Sequence, residues 1–141
     1  MSFVTQTTDT NCFAACLASI LGCSIESVPT GADGSTWDMC EVQNWLANEF
    51  GLQALEITFG SGGTIYPMSR PITCIVTGKS PRGEKQHAVV AETKGLEGFS
   101  LIHDPHPSGL FIEDDPLFAT FFVPLEISDV LMSTEKEQQE R

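Results

Sequence analysis

Four residues of this 141-residue chain are of types that together do nucleophilic chemistry: Gln6, Cys12, His87 and Asp104. Cys12 stands where the polar stretch QTTDTN gives way to the apolar run CFAACLASIL, which reads as a helix. A thiol at a helix start meets unpaired backbone N–H groups and the positive end of the helix dipole, and both favour the thiolate. His87 opens the run HAVV, and Asp104 closes the run IHD. If the strands carrying them are neighbours, an imidazole and a carboxylate meet at their ends. An imidazolium beside Cys12 lowers the thiol pKa further, and the ring then protonates a leaving group. A carboxylate behind the ring fixes its tautomer and orientation. Gln6 offers a side-chain N–H to a developing oxyanion, next to the backbone N–H of Cys12. Each such donor is worth about 3 kcal/mol in the transition state.

Each of these residues also has an ordinary reading. Free cysteine is among the most buried residue types, so Cys12 also fits an inert core thiol. Cys16, one helical turn on, fits core packing. Cys12, Cys16 and His87 do not have the spacing of a zinc site and lack an obvious fourth ligand. Asp104 precedes a proline, where aspartate commonly bonds its own backbone. His103, Asp104 and His106 form a second conceivable metal set. Strand alternation, however, turns His103 away from the side that Asp104 takes. His106 falls either at the cleft or in solvent. Glu113, Asp114 and Asp115 read as a solvated face, and Trp37, Trp45 and Tyr66 as packing residues. The expectation is a site without metal or cofactor.

The elements that must position these residues follow from period and punctuation. Asn11 is a candidate N-cap whose side chain accepts a first-turn N–H. Gly22 ends the first helix. A second helix begins at Ser35 or Thr36, with Asp38 resembling a capping box, and presents Met39, Val42, Trp45 or Leu46, and Phe50 before Gly51 closes it. Strands are expected at 55–59, 72–77, 87–92, 99–103 and 118–125, the third and fourth joined by a hairpin. The GSGG at 60–63 is a loop with no following helix and lysine, so it is no phosphate loop. The polar stretch 128–141 reads as a tail. The predicted architecture is α+β: one domain over 1–127, in which a buried N-terminal helix packs on an antiparallel sheet of four or five strands.

Composition limits the partners. Seven Lys and Arg against nineteen Asp and Glu give a net charge of −12, which argues against nucleic acid and anionic membranes. No run approaches the roughly 18 apolar residues of a membrane span. Five cysteines cannot all pair within the chain, and no leader-like segment opens it. The cytoplasm, of a bacterium or of a phage's host, is the expected compartment. Oligomeric state is left open.

Gln6 six residues ahead of Cys12, the small-residue helix after it, HAVV, and IHDP together resemble the papain-like cysteine peptidase superfamily. Within it the pattern is most similar to the C39-like peptidases and to small bacterial and phage relatives. Phe13 departs from the Gly or Trp often found after the nucleophile, and the chain is much shorter than papain. The resemblance implies a papain-like fold and a thiol hydrolase cleaving an amide, peptide or isopeptide bond. Cys12 would be the nucleophile, His87 the acid–base, Asp104 the orienter and Gln6 the oxyanion residue. The implied partner is a peptide, a protein or a small amide. The alternative is an acidic, non-catalytic binding or inhibitor protein on the same scaffold.

Overall fold

The runs TCIVTGK and QHAVVAET carry apolar residues at consecutive positions, which suits strands buried on both faces. A computed structural model describes residues 1–31, 39–59, 70–83, 85–94 and 98–125. Among these, five strands form: β1 (Leu52–Thr58), β2 (Thr73–Lys79), β3 (Gln86–Thr93), β4 (Phe99–His103) and β5 (Glu113–Pro124). Their order across the sheet is β1-β5-β2-β3-β4, and every neighbouring pair is antiparallel. Two helices accompany them, α1 (Cys12–Leu21) and α2 (Met39–Phe50). The α+β class, the N-terminal helix and the antiparallel sheet agree with the sequence expectation. The expected tail at 128–141, the capping box at 35–38 and the GSGG loop lie outside the described residues.

The helix α1 packs across β3 and β2. Its buried residues are Ala14, Ala15, Cys16, Leu17, Ala18 and Ser19. Four of these are Ala or Ser, so the helix axis comes close to the sheet, and Leu17 supplies the bulk. Leu17 packs with Val42 and Leu46 of α2 and with Ile75, Ala88 and Val90 of the sheet. Gly22 ends α1 in the left-handed conformation, with its N–H on the Ala18 carbonyl at 2.9 Å. On α2, Gln43 bonds both backbone groups of Ala54 at 2.9 Å and so fixes β1. The opposite face of the sheet buries Cys74, Val76, Val89, Ala91, Ala119 and Phe121.

Two expectations need correction. Strand β5 starts at Glu113, not at 118, and it contains Pro116 although it lies inside the sheet. Proline has no N–H to give a central ladder. Here the β2 ladder runs from Thr77↔Phe118 to Lys79↔Glu113 with a register shift between them, so Pro116 falls in the irregular stretch. The second correction is Asn11. Its side chain makes no bond to the first turn of α1. It turns back instead: Oδ1 accepts the N–H groups of Thr7 (3.0 Å) and Thr8 (2.9 Å), and Nδ2 donates to Thr7 Oγ1 (2.7 Å). Asn11 therefore shapes the loop that carries Gln6, and no capping side chain of its own occupies the first-turn donors. Among the described residues no helix is long and apolar enough to cross a membrane.

Candidate active site

Strands β3 and β4 pair with Val90 opposite His103, so the start of β3 and the end of β4 lie at the same edge of the fold. That register brings His87 and Asp104 together. His87 Nε2 lies 2.6 Å from Asp104 Oδ1, and both side chains are almost fully buried. An ionised carboxylate only accepts, so the ring nitrogen here carries the proton and Nδ1 is left as the basic nitrogen. Asp104 is held from two further directions. The N–H of His106 donates to Oδ1 at 3.0 Å, and the N–H of Phe111 donates to Oδ2 at 2.9 Å. Phe111 reaches this position with φ of 62°, an uncommon conformation for a non-glycine residue.

Burial alone would raise the Asp104 carboxyl. The bond from His87 and those from the His106 and Phe111 backbone outweigh it and hold the group below its ordinary value. For His87 the balance runs the other way: burial pushes the ring below its ordinary value, and the pull of Asp104 does not fully offset it. Arg82 and His106 depress it further. At neutral pH the pair is thus a carboxylate and a neutral imidazole.

Cys12 is the first residue of α1 and is half-buried. The backbone N–H groups of Ala88, the neighbour of His87 in β3, and of Phe13 and Cys12 itself favour the thiolate. Among the described residues no hydrogen bond joins the thiol to the imidazole. Burial raises the thiol above its ordinary value, against those three donors and Arg82. The sequence predicts a depressed thiol; desolvation by the packed start of the helix outweighs the donors. Cys16 is fully buried and raised much further, first by burial and then by Cys12 and Asp104. Cys74, on the far face, is pushed up to about 12 by burial and by Glu92.

Gln6 is tied to the other half of the site, because its N–H donates to the Pro105 carbonyl at 2.9 Å. Its side-chain Nε2 donates to the Thr8 carbonyl at 2.9 Å. Its Oε1 is buried without a partner. The amide therefore has one N–H engaged within its own loop and a second to offer. His103 points elsewhere, as alternation predicts. Its Nε2–H donates to the Val4 carbonyl at 2.8 Å, and its ring stacks on Phe3 with centroids 4.7 Å apart. The strap 3–6 is thus held along the end of β4. This parts His103 from Asp104, and among the described residues no group of three or more His, Cys, Asp or Glu side chains is placed to hold a metal ion.

Two cavities open at this edge. One, of about 510 Å³, is lined by Cys12, Phe13, Thr77, Ala88 and Phe118 among others, and is mainly apolar. The other, of about 440 Å³, is lined by Gln6, Asp9, Arg82, Lys85, His87 and His106 among others. Gln86 borders both. His106 takes the cleft position of the two the sequence allowed, while the contribution of Arg82 and Lys85 was not legible in the sequence. The turn-rich stretch 78–86 looks like a plain connection until the β2–β3 hairpin brings Arg82 and Lys85 to the edge that holds His87. No protein-family model and no curated protein matches this chain.

Proposed function

We propose that this protein is a thiol-dependent hydrolase of amide or peptide bonds, isopeptides included, on a papain-like scaffold. The observation that carries the reading is the buried His87–Asp104 bond at the strand edge, with Cys12 and Ala88, the neighbour of His87, lining one cavity beside it. A buried imidazole held by a carboxylate, with its other nitrogen free, is a general base of fixed orientation. The resting site holds a neutral thiol and a neutral ring, so His87 Nδ1 takes the Cys12 proton as the sulfur attacks the carbonyl. The carbon–sulfur bond forms, and the negative charge on oxygen is met by the Cys12 N–H and the second side-chain N–H of Gln6. The proton on His87 passes to the departing amine as the carbon–nitrogen bond breaks. Water, deprotonated by the same ring, then cleaves the thioester and restores the thiol.

The raised Cys12 thiol and the absence of a bond to His87 favour a second reading, an acidic binding or inhibitor protein that keeps the scaffold without the chemistry. Timed alkylation with iodoacetamide at pH 7, read by mass spectrometry, decides between them. Cys40 is the exposed thiol of the set. Base assistance from His87 makes Cys12 the first to react, and H87A returns first place to Cys40. Cys40 leading in the wild type would overturn the hydrolase.

A further inference from the structure

The polar cavity carries two unmet demands. Gln6 is 9% exposed, lines this cavity and has a buried carbonyl oxygen without a hydrogen-bond donor. An orphaned acceptor of this kind costs about 1–3 kcal/mol unless a water or ligand meets it. The second demand is charge. In a chain of net charge −12, two of the seven basic residues, Arg82 and Lys85, line this one cavity. Arg82 donates to Ser108 Oγ at 3.1 Å and is near enough to act electrostatically on both Cys12 and His87. Among the described residues of the lining, Asp9 is the acid. A ligand with an N–H donor and a carboxylate suits this lining: the donor faces Asp9, and the carboxylate goes to Arg82 and Lys85.

Direction follows from proton transfer. The leaving amine must be within reach of His87, and His87 lines the polar cavity. Cys12, which keeps the acyl group, lines the apolar one.

We propose that the polar cavity is the leaving-group subsite and that it selects an amino acid or peptide half bearing a carboxylate next to the cleaved bond, held by Arg82 and Lys85. The apolar cavity then receives the acyl side. The proposal rests on the hydrolase reading above, and the carboxylate is either a free terminus or an acidic side chain.

Two haloacetyl reagents of similar size, neutral iodoacetamide and anionic iodoacetate, test the subsite, with Cys40 as internal reference. The expected result is a higher iodoacetate-to-iodoacetamide rate ratio at Cys12 than at Cys40. The double variant R82Q/K85Q should lower that ratio about fivefold, the scale of an exposed ion pair. Both side chains are exposed, so the variant is expected to fold. A ratio at Cys12 no higher than at Cys40, with Cys12 still first to react with iodoacetamide, overturns the subsite and leaves the hydrolase standing. A Cys12 slower than Cys40 toward both reagents removes both. Protection of Cys12 against iodoacetamide by small amines then assigns the source. Glycine protecting points to a free terminus, and aspartic acid α-amide protecting points to a side chain. Glycinamide protecting as well as either, or neither carboxylate protecting, overturns the proposal.

Discussion

His87 titrates against its burial, and this has a consequence for stability. Its folded pKa lies below the ordinary value of 6.5. Between the two values the unfolded chain binds more protons than the folded one, so stability climbs as pH rises through that window and is fully present above it. Asp104 contributes at lower pH. Its folded value lies below 3.8, so its stabilisation is present above 3.8 and is lost as pH falls through the lowered value. Thermal unfolding of wild type and H87Q at closely spaced pH is expected to show a rising limb just below 6.5 that the variant lacks. A limb of equal height in H87Q would assign it to other groups. At the same scale, His106 and Phe111 act through backbone N–H groups, so replacing the His106 side chain leaves its bond to Asp104 intact.

At the scale of elements, α1 has two tasks that pull apart. It must bury its length, and it must keep its first turn open. Leu17 serves the first. It is fully buried between α2 and the sheet, and L17A is expected to cost about 2–5 kcal/mol in denaturant unfolding. A loss under 1 kcal/mol would mean that this core collapses around the gap. Asn11 serves the second by bonding the loop ahead of the helix. Removing its side chain in N11A frees Thr7 and Thr8 and loosens Gln6. The expected result is about 1–3 kcal/mol of destabilisation together with slower alkylation of Cys12. The rate at Cys40, which α2 carries far from this loop in sequence, should stay as it was. Equal slowing at both thiols would indicate a global effect and remove Asn11 from the positioning of the site.

For the whole molecule the dominant fact is charge. A net −12 repels anions over most of the surface, and on the proposed subsite the Arg82–Lys85 cavity is a local exception. Salt screens both fields. Raising ionic strength is therefore expected to speed the reaction of iodoacetate at Cys40 and to slow it at Cys12. Parallel changes at the two thiols would mean that the cavity has no field of its own. The sheet order matters at this scale too. Because β5 inserts between β1 and β2, the last described strand closes the core that the first helix began.

Much of this was open to reading in the linear chain. Consecutive apolar residues in CIV and AVVA mark strands buried on both faces, and small apolar residues without a polar face mark α1 as a buried helix. His87 and Asp104 were legible as a pair because each sits at the end of a strand-like run, and antiparallel neighbours bring such ends together. The sequence determined which residue types are present and the period of each element. Only tertiary structure decided that burial outweighs the helix-start donors at Cys12, because desolvation depends on what packs around the sulfur. It also decided that Asn11 turns backward, that Pro116 is tolerated inside the sheet at a register shift, and that Arg82 and Lys85 stand beside His87. Each of these depends on neighbours distant in the chain or on competing bonds of similar energy, and local pattern carries no record of which one prevails.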